Sequence, residues 1–310
     1  MSLAAFVFGA CWGSFFNVAI YRWPLGLSVV SPPSHCPSCN ARIPPWLNFP
    51  IFGYLALRGK TACCGQPLSP RYPIVELLGA VLAVAVTQQV FINLDPSTPI
   101  LDACLLALCY YTFAGGLLVA TFVDLEHMEI PDEVSLPGTA LGLLTASYRN
   151  PPGAAEAALG AGAGFLFIQV LFVWGYERLT GRRGMGEGDS KLLMMIGAFL
   201  GWEGAVFALV AAAVQGLVVA LVALARGWGS DIKKAEEAAE QTRETENRPL
   251  SEGEGDEEDD PPPTRLGHLK LPFGPFLALG ALEHFFFGDH IIDYWMRFAG
   301  GLAGVFGIGG

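Results

Sequence analysis

Only 15% of the 310 residues are charged, so a carboxylate at the edge of an apolar stretch stands out as candidate chemistry. Asp124 follows Ala-Thr-Phe-Val at the end of one such stretch. Asp189 closes Gly-Met-Gly-Glu-Gly-Asp immediately before Ser190, Lys191 and another apolar run. Two carboxylates brought together do not both ionise readily: one keeps a proton and polarises a carbonyl, while the other takes a proton from an attacking water. Such a pair supports hydrolysis without a covalent intermediate and titrates as a unit. Asp124 and Asp189 are therefore the candidate catalytic residues. Gly186 and Gly188 let the backbone beside Asp189 turn tightly and let an extended substrate approach. Asp132 follows Pro131 and precedes an apolar run, which suits a capping carboxylate at a helix start; it is also the competitor for the first catalytic position. Lys191 is placed to pair with a carboxylate or with a lipid phosphate.

Four of the seven cysteines form a second constellation, Cys36-Pro-Ser-Cys39 followed by Cys63-Cys64. A C-x-x-C knuckle presents two thiolates to one tetrahedral Zn²⁺, and a second pair some twenty-odd residues on completes the shell. Adjacent cysteines point apart unless the backbone bends, which leaves His35 as a substitute ligand. Three uses stay open for Cys36, Cys39, Cys63 and Cys64: zinc binding, a cysteine-containing loop without metal, and redox chemistry. On residue chemistry alone a hydrolase, a proton-coupled transporter and a zinc-bearing membrane scaffold all remain. A transporter should carry its carboxylates near the bilayer midplane and show inverted repeats, and no internal repeat is found.

The elements that must position these residues are membrane helices. Hydrophobic residues make up 52% of the chain and the mean hydropathy is +0.44. Stretches approaching the ~20 residues that cross a bilayer fall at roughly 1–21, 74–94, 100–123, 133–148, 155–177, 190–202, 204–225 and 271–288. The expected fold is an all-α integral membrane protein of about eight transmembrane helices with a small cysteine-containing loop domain. Its divisions are a first transmembrane helix (1–21), the cysteine-loop domain (22–73), a transmembrane core (74–225), an acidic insertion (226–270), and a last transmembrane helix with its tail (271–310). The first span lacks the basic start and small-residue end of a signal peptide. Segment 22–73 carries Arg22, Arg42, Arg58, Lys60 and Arg71 with no acidic residue, so it stays cytoplasmic and the active site faces the cytoplasm. Much of the formal net charge of −11 is local: 226–270 holds thirteen acidic and seven basic residues, the composition of a disordered cytoplasmic linker. Basic residues are scattered beside spans, which argues against nucleic-acid binding. Membrane lipids are the implied surroundings. Asp293 and Arg297 interrupt the apolar, glycine-rich tail 290–310, which suits an interfacial position.

These segments together resemble the prepilin peptidases, the type IV leader peptidases of the Gly-x-Gly-Asp class of membrane aspartyl proteases. The resemblance rests on ordered motifs: Gly13-Ser-Phe-Phe-Asn-Val-Ala-Ile-Tyr-Arg22, Ser34-His-Cys-Pro-Ser-Cys39, Asn48 to Lys60, Ser69-Pro-Arg-Tyr-Pro-Ile-Val-Glu76, Asp124 to Asp132, Gly186-Glu-Gly-Asp-Ser-Lys-Leu192, and Leu271-Pro-Phe-Gly-Pro-Phe-Leu-Ala-Leu-Gly280. It implies an inner-membrane enzyme that removes the short basic leader from prepilins and pilin-like proteins of pilus or type II secretion systems, after glycine and usually before phenylalanine. It then methylates the new N-terminus with S-adenosylmethionine; the alternative is a peptidase that has lost methylation. Residue by residue, the family's two aspartates fall on Asp124 and Asp189, Arg71 and Glu76 fall in its Arg-Tyr-Pro-x-x-Glu segment, and the cysteine loop corresponds to the cytoplasmic domain that the resemblance associates with methylation. Two departures are visible. The family's second cysteine pair would fall on Thr61 and Cys64, with Cys63 extra, and the family's loop before the last span is short where 226–270 is long.

Overall fold

The computed structural model describes residues 1–34, 36, 39–149, 151–181, 185–226 and 272–305, excluding the side chains at 45, 46, 224, 289 and 292–305. His35, almost all of the acidic insertion 226–270, the side chains of Asp293 and Arg297, and the last five residues of the tail lie outside that description.

Nine α-helices follow in chain order among the described residues: α1 Ser2–Arg22, α2 Phe52–Ala56, α3 Arg71–Asn93, α4 Ile100–His127, α5 Asp132–Thr145, α6 Ala154–Ile168, α7 Tyr176–Thr180, α8 Glu187–Ala225 and α9 Gly274–Val305. A π-helical stretch, Gln169–Gly175, joins α6 to α7, making one continuous rod. Among the described residues no strand forms, and an isolated antiparallel bridge joins Lys60 to Pro67. Five of these segments are long and apolar enough to cross a membrane: Ser2–Arg22, Arg71–Asn93, Ile100–His127, Ala154–Thr180 and Glu187–Ala223. The chain is a helical, multi-pass membrane protein.

The count of eight read from the sequence differs from these five for identifiable reasons. Helix α5 has 14 residues, which span about 21 Å, short of the hydrocarbon thickness. The expected spans 190–202 and 204–225 lie within α8, whose backbone leaves helical geometry at Gly201 (φ 72°, ψ −174°), a conformation that glycine alone adopts readily. The last expected span is the first half of α9, and the helix continues into the tail as far as Val305.

Contacts on either side of Gly201 fix the course of α8. Its first half starts against Ile130 at Gly188 and runs along α6, where a Cβ on Gly197 would sit 2.2 Å from the Gly160 carbonyl oxygen. Backbones this close need small residues, and packing of this kind holds helices together where water supplies no hydrophobic drive. The second half passes His284 at Gly204, Gly280 at Ala208 and Phe276 at Gly216, so it travels back along α9. Gly201 therefore reverses the chain. Close to that reversal, Arg149 is 3% exposed and donates to the carbonyls of Phe199 (2.6 Å), Ala198 (3.0 Å) and Gly142. One guanidinium thus satisfies carbonyls left open where α5 and the first half of α8 end.

The core lies among α1, α3, α4, α8 and α9, with Phe16, Val75, Phe113, Leu117, Leu192, Ile196, Phe199 and Leu277 buried in one cluster. Phe113 stacks on Phe199 at 4.4 Å between centroids. This packing sets the relative depth of α4 and α8, and hence of the aspartates they carry. Between α1 and α3, Arg22 donates to the carbonyls of Ser28 (2.8 Å) and Pro32 (2.7 Å), folding the start of the cysteine loop back on α1.

Candidate active site

Asp124 stands in the last turn of α4. The helix ends there because Met128 adopts the left-handed conformation (φ 56°, ψ 34°) and returns its N–H to the Asp124 carbonyl at 3.0 Å; Pro131 then precludes immediate continuation. Asp189 is the third residue of α8. Its Oδ2 accepts the N–H of Gly186 at 3.2 Å, the reach-back of a third-position side chain to the residue that opens a helix. Asp124 Oδ2 accepts the N–H of Gly274, at the first turn of α9, at 2.9 Å. These bonds engage one oxygen of each carboxylate: Asp189 lies at the start of α8, and Asp124 lies between the end of α4 and the start of α9.

The two sequence-predicted aspartates come together. Asp124 is 6% exposed and Asp189 8%, and the charge of Asp124 acts directly on Asp189. Ile130 forms the common wall: a Cβ on Gly188 would fall 2.9 Å from the Ile130 Cβ, and one on Gly274 would fall 3.0 Å from its Cδ1. Gly188 is thus small because Ile130 occupies the space. At Gly186 a Cβ would meet Asp189 Oδ2 at an ordinary 3.6 Å, and neither glycine has positive φ. The backbone does turn between them, the Asp189 N–H returning to the Gly186 carbonyl at 3.2 Å, without a left-handed residue.

Asp132 and Lys191 pair with each other, Nζ lying 2.7 and 2.8 Å from the two carboxylate oxygens. The expected capping bond is not made: Pro131 occupies the N-cap of α5, and no side-chain cap bond forms. The pair instead ties the start of α5 to the start of α8 on the exposed side of Asp189. Arg71 makes an ion pair with Glu126, two residues beyond Asp124. Glu76 is buried; its Oε2 accepts the N–H of Ile51 at 2.7 Å, fastening the loop to α3.

In the loop, two turns of the same design face each other. Asn40 N–H returns to the Cys36 carbonyl and Gly65 N–H to the Thr61 carbonyl, both at 2.9 Å, with Asn40 (φ 56°) and Gly65 (φ 69°) left-handed. The second turn therefore has the knuckle geometry with Thr61 in the first ligand slot. Thr61 Oγ1 sits 3.2 Å from Cys64 Sγ, while Cys63 Sγ approaches Cys39 at 3.3 Å and Cys64 at 3.9 Å. The sulfurs of Cys36, Cys39, Cys63 and Cys64 lie within 4.8 Å of one another. Tetrahedral thiolates about 2.3 Å from zinc sit roughly 3.8 Å apart, so the cluster fits that ion. Hydrogen bonding with Cys39 is the main cause that pushes the Cys63 thiol up to about 12, and the Thr61 hydroxyl pulls Cys64 down from its ordinary value. A cation among the sulfurs would favour all four thiolates.

Two family models match consecutive parts of the chain. The bacterial peptidase A24 N-terminal domain covers residues 7–90, and the type IV leader peptidase family covers residues 111–221. A prepilin leader peptidase/N-methyltransferase of Aeromonas hydrophila is 35% identical over 315 residues, 94% of this chain and 92% of that relative.

The chain belongs to the type IV leader peptidase family.

A relative of the same name from Klebsiella pneumoniae is 37% identical over 204 residues, covering 64% of this chain and 84% of the relative. One from Pseudomonas aeruginosa is 28% identical over 321 residues, covering 96% and 94%. No solved structure matches the chain significantly. Within this leader peptidase the first model spans most of α1, the cysteine loop and most of α3, while the second contains both aspartates. Gly274 lies outside both. The segment around Gly274 carries part of the family resemblance, but its residue types do not by themselves assign it to the site. Its signal was a glycine-proline step opening an apolar run, which many helix starts share.

Proposed function

We propose that Asp124 and Asp189 carry out the leader cleavage of this prepilin leader peptidase and N-methyltransferase. The observation that carries this reading is the pair of buried carboxylates at one end of the helical bundle, each held by one oxygen on a backbone N–H. In the sequence of events, the protonated carboxyl donates a hydrogen bond to the scissile carbonyl oxygen and the ionised one accepts a proton from water as it attacks. The tetrahedral adduct collapses as the leaving amine takes a proton, releasing the leader and the new N-terminus. Fixing the unreactive oxygens in advance saves reorganisation when charge develops.

The course of the helices supports eight crossings: α1, α3, α4, α5, the α6–α7 rod, the two halves of α8, and α9. The cysteine loop, the α4–α5 connection and the start of α8 then share one side. The basic residues Arg22, Arg42, Arg58, Lys60 and Arg71 mark that side as cytoplasmic in a bacterial inner membrane. Substrates are prepilins or pseudopilins, presented from the surrounding lipid with a basic leader and a Gly-Phe junction. S-adenosylmethionine supplies the methyl group when bound. Cys36, Cys39, Cys63 and Cys64 would hold a structural Zn²⁺ that ties the two knuckles together, and Glu76 anchors that module to α3.

Membranes containing the protein, mixed with such a prepilin and S-adenosylmethionine, should shorten it by the leader and add one methyl group to its new N-terminus, read by mass. A substrate that stays full length overturns the proposal. Asp132→Asn tests the competing position. An ion pair half exposed to solvent contributes about 0–1 kcal/mol, so this variant should keep more than about a tenth of wild-type cleavage; complete loss moves the first catalytic position to Asp132.

A further inference from the structure

We infer that the last helix is a component of the cleavage site, with Gly274 the positioning residue that sets the carboxylate of Asp124. This inference rests on the reading of Asp124 as catalytic. The contact is made across 150 residues of sequence and is buried: Gly274 N–H meets Asp124 Oδ2 at 2.9 Å. Space, not backbone conformation, demands the glycine. Its φ is not in the left-handed region, yet a Cβ would stand 2.6 Å from Asp124 Oδ2, 3.2 Å from its Cγ and 3.0 Å from Ile130 Cδ1. Any side chain at this position therefore moves the carboxylate or the wall against which it rests. Ile130 cannot yield freely, because its other side meets Gly188, the residue before Asp189.

Three separate starts thus converge: the α4–α5 connection through Ile130, α8 through Gly188 and Asp189, and α9 through Gly274. The geometry makes α9 the element that selects the oxygen of Asp124 left for chemistry, because an oxygen held by a backbone N–H near a helix start is the poorer proton acceptor. A carboxylate displaced by even 1 Å loses the alignment that proton transfer requires, a fault that commonly costs about 10²-fold in rate.

The test compares Gly274→Ala with Gly280→Ala in the full-length protein in membranes. A Cβ at Gly280 would crowd the Ala208 carbonyl oxygen at 2.8 Å, disturbing the packing of α9 on α8 without approaching a carboxylate. Gly274→Ala should lower kcat for leader cleavage by about 10²-fold with KM within roughly twofold of wild type, while methylation of a substrate supplied without its leader is unchanged. Gly280→Ala should retain kcat per inserted molecule. Wild-type kcat in Gly274→Ala overturns the inference. Equal loss of kcat in the two variants, or loss of methylation with cleavage in Gly274→Ala, also overturns it by making the effect one of folding. Asp124→Asn in parallel separates the two levels: an inactive Asp124→Asn beside an active Gly274→Ala sinks the positioning role alone, whereas an active Asp124→Asn sinks the catalytic assignment beneath it.

Discussion

Leader cleavage should fall by at least about 10³-fold in Asp124→Asn and in Asp189→Asn, which corresponds to about 4 kcal/mol of lost transition-state stabilisation. Asparagine is nearly isosteric with aspartate, so the Gly274 and Gly186 N–H bonds to the side-chain oxygen can persist. What disappears is the ability to hold or accept a proton. The double variant should be little worse than either single one, because groups that act as a unit are strongly non-additive. Methylation of a substrate supplied without its leader should survive in all three, since the cysteine loop and its anchor on Glu76 are untouched. The measurement is mass analysis of the substrate N-terminus over a time course. Cleavage at an undiminished rate by either single variant removes that residue from the mechanism.

The second large effect concerns the loop. Purified protein should contain about one zinc per chain, and Cys36→Ser, Cys39→Ser, Cys63→Ser and Cys64→Ser should each lower metal content sharply and abolish methylation. A module of this length has little core of its own, so a metal would help hold it together. The informative variant is the exchange Thr61→Cys with Cys63→Ser. Thr61 already occupies the first slot of the second knuckle, with its Oγ1 3.2 Å from Cys64 Sγ, so moving the thiol back two positions should restore metal and methylation lost in Cys63→Ser. Metal analysis decides this independently of activity: full zinc in Cys63→Ser shows that Cys63 is not a ligand. Cleavage lost together with methylation in these variants would show that the loop supports the membrane core as well.

The sequence by itself made the chemistry conspicuous. In a chain this apolar, Asp124 and Asp189 are costly at the ends of helices, and helices satisfy their own backbone hydrogen bonds locally, so spans such as 74–94 and 100–123 could be read from runs of apolar residues. The cysteine set was equally legible, because a knuckle is a local turn with fixed spacing. Tertiary structure decided what depends on partners distant in the chain. It paired Asp132 with Lys191 across 59 residues, where helix-start patterning pointed to a cap. It put Cys63 beside Cys39 through two facing turns, a bend that adjacent cysteines do not announce. It placed the reversal of α8 at Gly201 (φ 72°), at the boundary between the spans 190–202 and 204–225 that the apolar runs had already separated. Above all it brought the Gly274 N–H to Asp124. Residue type and spacing could show that two carboxylates stood ready for proton transfer; Asp189 is held locally by Gly186, but the backbone group that holds Asp124 depends on how deeply α9 packs against α4, and only the assembled bundle sets that depth.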